Sequence, residues 1–429
     1  MVTKKIVIDV SFLFDQYATR GIGIYGKEVV RRLILNYVLK QSEIIVYLIG
    51  FLDFEQNLVN LGFTPTEKEI ILNCNLVHFF SLGKVKYSGI KNLLLWRSKY
   101  LPILNEVSPD LYFAVHFERC LPTVPFINRN LQKIPYTFVT VHDLIPMYTN
   151  SFSSKSFLHN MIKGLFYKFL LRGVVNADLV FCPSYYVKQQ VMNVLKIDQE
   201  KIKVVYNGVS EQFFISKYTT TKDEVISVLR KYNLVGEKFF IYDSGLEKSK
   251  GVDKMLEVLK LIFSKNLIDI PKKIVIIGGS LSEGIGDAIQ PQDKLGEIFL
   301  NKARNLGILN NIIATGRISE YELRILLFSA FAHIYLSQNE GFGLPTIQAM
   351  AAEIPAIAYN GSCLPEITSG GALLVNLNNL EDTVNQIIHF LQNDDLREKY
   401  RQKGLEIAKK YNWDNTAYNI WNSMKDILE

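Results

Sequence analysis

The sequence predicts an α/β protein made of two doubly wound domains, and three observations carry that prediction. Short, almost continuously apolar runs recur along the chain, each followed by a loop and a helix-forming segment, as in a parallel sheet covered on both faces. The series occurs twice. The first comprises Lys5 to Ser11, Glu43 to Gly50, Asn75 to Phe80, Asp110 to His116, Tyr136 to Asp143, Ala177 to Ser184 and Ile202 to Gly208. The second comprises Phe239 to Gly245, Lys273 to Gly279, Asn311 to Arg317, Ala332 to Gln338, Pro355 to Gly361 and Ala372 to Asn376. Finally, 429 residues exceed one ordinary core and suit two domains. Domains are expected over 1–213 and 214–405, with a terminal helical segment over 406–429. The weakly apolar stretch Ser216 to Asp223 is the candidate linker. Ligands of such sheets bind beyond the carboxyl ends of the strands, so two facing domains are expected to form a cleft.

Composition narrows the class. Hydrophobic residues make up 48% and charged residues 21%, which favours packed domains over disorder. No apolar run has the length of a membrane span, and Met1 to Lys5 leads into a strand rather than a cleavable signal, so a cytoplasmic protein is expected. Cys74, Cys120, Cys182 and Cys363 are scattered and read as small hydrophobes, neither zinc ligands nor a disulfide frame. A net charge of +6 is too mild to argue for nucleic acid.

The most informative stretch is Ser337-Gln338-Asn339-Glu340-Gly341-Phe342-Gly343-Leu344-Pro345-Thr346-Ile347-Gln348-Ala349-Met350-Ala351. A buried strand ends, a glycine turn follows, and a helix starts with Pro345 in its first turn, where the missing N–H costs nothing. A carboxylate, Glu340, is thereby set beside bare helix-start amides. An anion could sit there, with Glu340 to grip hydroxyls. By spacing alone, an ordinary strand-to-helix connection accounts for the stretch equally well.

The residues Glu340-Gly341-Phe342-Gly343-Leu344-Pro345 closely resemble the signature of the retaining, nucleotide-sugar-dependent glycosyltransferases of family 4. The resemblance implies the GT-B architecture: two Rossmann-like domains facing across a cleft, with a C-terminal helix crossing back to the N-terminal domain. That role would fall to the helical tail after Asn393, where Trp413, Tyr418 and Trp421 are spaced. Ordinary C-terminal packing explains the same pattern.

Other stretches gain meaning beside this one. Arg20-Gly21-Ile22-Gly23-Ile24-Tyr25-Gly26 reads as a glycine-rich loop after the first strand. Turn formation alone would explain it, whereas the resemblance implies that Gly21 and Gly23 lie near donor phosphate and acceptor. His142 ends the fifth strand beside Asp143, which could orient it. A structural histidine is the ordinary reading, and the resemblance implies a place near the donor sugar. His116 reads as structural, while His78, His159, His333 and His389 form no pattern. In Asp243 to Gly251, Lys250 could neutralise a diphosphate leaving group, or could be a solvated surface lysine. The loops at Gly278 and Arg317 would border the nucleotide and donor sugar, and the turn at Gly361 would lie near the phosphates or position the next helix, by resemblance only.

Two positions depart from the family pattern. Ser244 stands where the family has an arginine, and Gln348 where it has a second glutamate that accepts from ribose hydroxyls. An amide accepts with its oxygen but carries no charge, a loss on the order of 1 kcal/mol. The resemblance thus implies a hexosyltransferase with Glu340, Lys250 and His142 as catalytic residues. Donor contacts would come from Gly21, Gly23, Ser244, Gly278, Arg317, Gly341, Phe342, Gly343, Leu344 and Gln348. It implies a nucleotide-sugar co-substrate, a glycan or lipid-linked acceptor in bacterial surface polysaccharide synthesis, and no metal or other cofactor. A catalytically silent GT-B subunit and a sugar-nucleotide epimerase remain alternatives. The basic, aromatic segment Lys84 to Tyr100 reads equally as a peripheral contact with anionic membrane, at the inner face of the cytoplasmic membrane, or as a core-facing helix with solvated lysines.

Overall fold

The computed structural model describes residues 3–11, 21–51, 53–82, 99–117, 135–145, 167–168 and 170–429. Arg20, His159 and residues 84–98 of the basic segment lie outside these. The chain divides into two compact units, Met1–Gly208 with Asn412–Glu429, and Val209–Tyr411. The expected boundaries at 213 and 405 lie a few residues away from these.

In the first unit β1 (Lys4–Asp9), β2 (Ile44–Gly50), β3 (Val77–Ser81), β4 (Leu111–Ala114), β5 (Tyr136–Thr140), β6 (Leu179–Cys182) and β7 (Ile202–Val204) form one parallel sheet. Its order is β3-β2-β1-β4-β5-β6-β7. The chain runs outward from β1 to β3, then returns to β4 and runs the other way. The direction of winding therefore reverses between β1 and β4. Burial explains the near-continuous apolar runs: all four residues of β4 are buried, as are the last four of β1.

In the second unit β8 (Phe239–Tyr242), β9 (Lys273–Ile277), β10 (Gly284–Ile285), β11 (Ile312–Gly316), β12 (Ala332–Tyr335), β13 (Ala356–Tyr359) and β14 (Leu373–Val375) follow the order β10-β11-β9-β8-β12-β13-β14. Only the short edge strand β10 runs antiparallel among the described residues. Here winding reverses between β8 and β12, so the crevice for a ligand is expected beyond their carboxyl ends.

Two sequence expectations need correction. The stretch around Gly21 and Gly23 is not a loop, because the helix Gly21–Arg32 already includes both. Tyr25, Val29 and Leu33 recur at helical spacing and are buried, and that apolar face outweighs the propensity cost of the glycines. The expected linker Ser216 to Asp223 is instead the end of the helix Gln212–Thr219 and the start of Lys222–Lys231. Thr221 and Glu224 form a reciprocal capping box, which starts a helix rather than a free connection.

The tail holds two helices, Asp394–Ala408 and Trp413–Leu428. The first packs within the second unit. The other belongs to the first unit, against the helix Gly21–Arg32. Trp413 meets Tyr25 edge-on at 6.1 Å and Trp421 stacks on Tyr37 at 5.2 Å. Arg32 Nε donates to Asp414 Oδ1 at 2.8 Å, and Thr416 Oγ1 donates to the Tyr206 carbonyl at 2.7 Å. Among the described residues, no helix is long and apolar enough to cross a membrane.

Candidate functional site

In the second unit the chemistry-bearing residues gather beyond the ends of β8 and β12, where the winding reverses. Three donors converge on one oxygen of Glu340: Tyr335 OH at 2.5 Å, Ser337 Oγ at 2.7 Å and Lys250 Nζ at 2.7 Å all reach Oε1. Glu340 is nearly buried, whereas the Lys250 side chain is 23% exposed. The predicted cation and carboxylate are therefore neighbours joined as an ion pair.

Local structure explains the convergence. Lys250 ends a tight turn, Lys248–Lys250, whose following residue Gly251 takes a left-handed φ of 68°. The Ser249 carbonyl of that turn accepts from Gln338 N at 3.2 Å and lies 3.3 Å from Ser337 Oγ, whose single proton goes to the nearer Glu340 oxygen. The turn after β8 is thereby stitched to the chain leaving β12. Gly343, at φ 78°, then opens the helix Leu344–Ala351, with Pro345 in its first turn as expected. Phe342 is buried and meets the Tyr411 ring at 5.4 Å, which anchors the glycine turn. Gln348 lies one turn along this helix and is nearly buried.

Ser244, Gly278 and Arg317 occupy the neighbouring strand ends. Ser244 Oγ lies 3.5 Å from Tyr335 OH. Gly278 N donates to the Gly316 carbonyl at 3.2 Å. The Arg317 side chain lies directly over Gly279, where an added Cβ would come within 2.4 Å of Arg317 Nε.

Burial and then the charge of Glu340 push the Tyr335 phenol well above its ordinary range, so it stays a donor. Burial chiefly does the same to Tyr242, and to Cys363, which also feels Glu340. Behind the phenol, His333 Nε2 and Asp243 Oδ1 are 2.8 Å apart and both side chains are buried. Sequence reasoning missed Tyr335, Ser337 and the His333–Asp243 pair. The available signal was the alternation of His333, Tyr335 and Ser337, which puts three polar groups on one side of an otherwise apolar strand.

In the first unit His142 is buried. It meets the Tyr25 ring edge-on at 4.6 Å and the His116 ring at 5.3 Å. The Val115 carbonyl favours the protonated ring, against the larger effect of burial. Asp143 Oδ1 accepts the Ile145 amide at 2.9 Å and shapes the turn. His142 Nε2 has no hydrogen-bond partner among the described residues. Gly21 and Gly23 share the helix that presents Tyr25, in the same unit as His142.

Burial lowers the His142 pKa to about 4, so the ring is neutral near pH 7. An unfolded histidine titrates near 6.5, so between those values the unfolded chain binds more protons. Stability is therefore expected to fall as pH drops through that window, by up to about 3 kcal/mol from this group. His142→Gln should flatten this acid slope in equilibrium unfolding measured from pH 7 to 4. An unchanged slope would contradict the burial account.

Comparison with known proteins agrees with this architecture. Residues 60–213 match the model described as Glycosyltransferase Family 4, and residues 228–406 match that for Glycosyl transferases group 1. An uncharacterized glycosyltransferase of Methanocaldococcus jannaschii is 24% identical, over 90% of this chain and 91% of its own. The O-antigen chain mannosyltransferase B of Escherichia coli is 21% identical, over 96% and 97%. The crystal structure of Anabaena HepE in complex with UDP-glucose superposes with a TM-score of 0.70 at 15% identity, covering 98% of this chain and 99% of that one. The two family models together span most of the sequence, and both sheets have the parallel winding of GT-B enzymes. The chain belongs to the GT-B glycosyltransferases, with a family 4 domain in its N-terminal half and a group 1 domain in its C-terminal half.

Proposed function

We propose that this glycosyltransferase is a retaining hexosyltransferase. It would move a sugar from a nucleoside-diphosphate sugar to a glycan or lipid-linked acceptor in bacterial surface polysaccharide assembly. The observation that carries this reading is the state of Glu340. Among the described residues its hydrogen bonds all fall on Oε1, so Oε2 is left to accept from sugar hydroxyls beside the amides of Gly341 to Leu344.

In this reading the diphosphate draws Lys250 toward itself, and the ammonium plus the helix-start amides stabilise charge as the sugar–phosphate bond breaks. This leaving-group stabilisation needs no metal. Glu340 holds the sugar and stabilises positive charge developing at its anomeric carbon. Ser244, Gly278, Arg317 and Gln348 line the donor. The neutral His142 presents Nε2 as an acceptor for a substrate hydroxyl, with Gly21 and Gly23 on the adjoining helix. Attack from the face the diphosphate leaves would let its phosphate oxygen take the acceptor's proton and would retain configuration. The E. coli relative, named a mannosyltransferase of O-antigen chains, supports the polysaccharide setting. The HepE complex with UDP-glucose supports a nucleotide-sugar donor.

The test is a thermal-shift screen with UDP, GDP, UDP-glucose and GDP-mannose. A ligand at a hundred times its Kd adds about 2.7 kcal/mol of stability, enough to raise Tm by several degrees. At least one nucleotide sugar is expected to do so, and the glycosidic product should keep the donor's anomeric configuration by NMR. No shift with any of the four, together with no release of nucleoside diphosphate on adding lipid-linked or glycan acceptors, would overturn the reading.

A further inference from the structure

The geometry points to Tyr335 as a positioning residue that clamps one oxygen of Glu340, so that the carboxylate presents only its other oxygen to the donor sugar. This inference rests on the donor-sugar role proposed for Glu340. Its basis is the three-donor arrangement, in which Tyr335 is the least mobile member. Lys250 is partly exposed and on a flexible stem, and Ser337 also reaches backbone acceptors at Ser249 and Asn339. Tyr335 is only 1% exposed. Its ring packs against those of Tyr242, 6.2 Å away, and His333, 5.8 Å away.

Such a phenol has little rotamer freedom, and its hydroxyl has a fixed aim. A carboxylate oxygen offers about two lone-pair directions, and three donors at 2.5–2.7 Å fill them. When Lys250 turns to a diphosphate, Oε1 keeps the two hydroxyl donors, and the carboxylate keeps its orientation. Without Tyr335 the departure of Lys250 would leave a single serine holding the group. The placement of Ser244 Oγ at 3.5 Å from the same phenol extends the contact toward the phosphate side of β8. Ser244 and Glu340, on different strand ends, therefore meet through one buried hydroxyl.

The clamp makes a prediction that a merely structural tyrosine does not. Tyr335→Phe removes one oxygen and keeps the ring. Its affinity for the nucleotide sugar is expected to fall about tenfold, the usual scale for a hydrogen bond to a charged group, with free nucleoside diphosphate bound as by the wild type. The measurement is isothermal titration with two pairs, UDP with UDP-glucose and GDP with GDP-mannose. Ser337→Ala should show the same selective loss and serves if the phenylalanine variant does not fold. Because Lys250 still holds Oε1 in the ligand-free enzyme, the crystal structures compared are those of Lys250→Ala and of Lys250→Ala with Tyr335→Phe, and the second should show the Glu340 carboxylate turned from its orientation in the first.

Equal losses for nucleotide and nucleotide sugar, or wild-type affinity for both, would overturn the clamp. Failure of the donor-site reading looks different, because the wild type would then bind no member of either pair. The pair of crystal structures decides in that case: a turned carboxylate supports the clamp, and an unmoved one overturns it.

Discussion

Glu340→Ala is expected to lower turnover at least about a hundredfold, the scale on which one transition-state electrostatic contact acts. The far-ultraviolet circular dichroism spectrum should stay that of the wild type. Glu340 lies in the connection after β12 rather than within the core layers, so its removal leaves the sheet intact. What it does leave is Lys250, Tyr335 and Ser337 aimed at an empty position. Glu340→Gln separates charge from shape, since the amide oxygen can still accept from the phenol and serine. If charge stabilisation at the anomeric carbon dominates, Gln should be nearly as slow as Ala. Turnover of Glu340→Ala within about threefold of wild type would remove Glu340 from the mechanism, and the same result for Glu340→Gln alone would leave it there as a hydrogen-bonding rather than a charged group.

Gly251→Ala should be among the most destabilising single substitutions in the second unit. Its φ of 68° is left-handed, and a Cβ there would lie 1.9 Å from the Leu336 carbonyl oxygen and 2.7 Å from its carbon. That carbonyl is backbone leaving β12, so no side chain can swing away to relieve the clash. The expected loss is about 3–5 kcal/mol, from left-handed strain plus displacement of packed backbone. The Ser249 carbonyl stitches the same turn to Gln338, so movement of Gly251 also carries Lys250 away from Glu340. Gly236 provides the comparison, because its φ is 76° yet nothing stands within 4 Å of an added Cβ. Gly236→Ala should cost only about 1 kcal/mol. Calorimetric unfolding of both variants checks the contrast, and equal transition temperatures would refute it.

The contrast between those glycines also shows what the sequence could reveal. Buried parallel strands are read easily because both faces are covered, so β4, β8 and β12 appear as plain apolar runs. The two-residue β10 carries no comparable signal, since Gly284 and Ile285 pair only by lying along β11. Helix starts were harder. Gly21 and Gly23 suggest a loop by local propensity, and only tertiary burial of Tyr25 and Val29 makes them helical. Thr221 and Glu224 did carry a legible capping signal, which their polar surroundings obscured.

At the site, Glu340 and Lys250 were legible as separate charges. Their pairing was not, because 90 positions of chain separate them. Tyr335 looked like one more core aromatic. Its role depends on which way a strand residue faces and on what the turn beyond brings back to it.

The return of Asn412–Glu429 to the first unit has a consequence for biosynthesis. On the ribosome, residues 1–208 emerge first but lack the helix that covers Tyr25 and Tyr37. The intervening unit contains all its own strands and can close before that helix is translated. The N-terminal unit must therefore wait with an open apolar flank while about two hundred further residues are made, so that of these two units the one translated sooner is completed later.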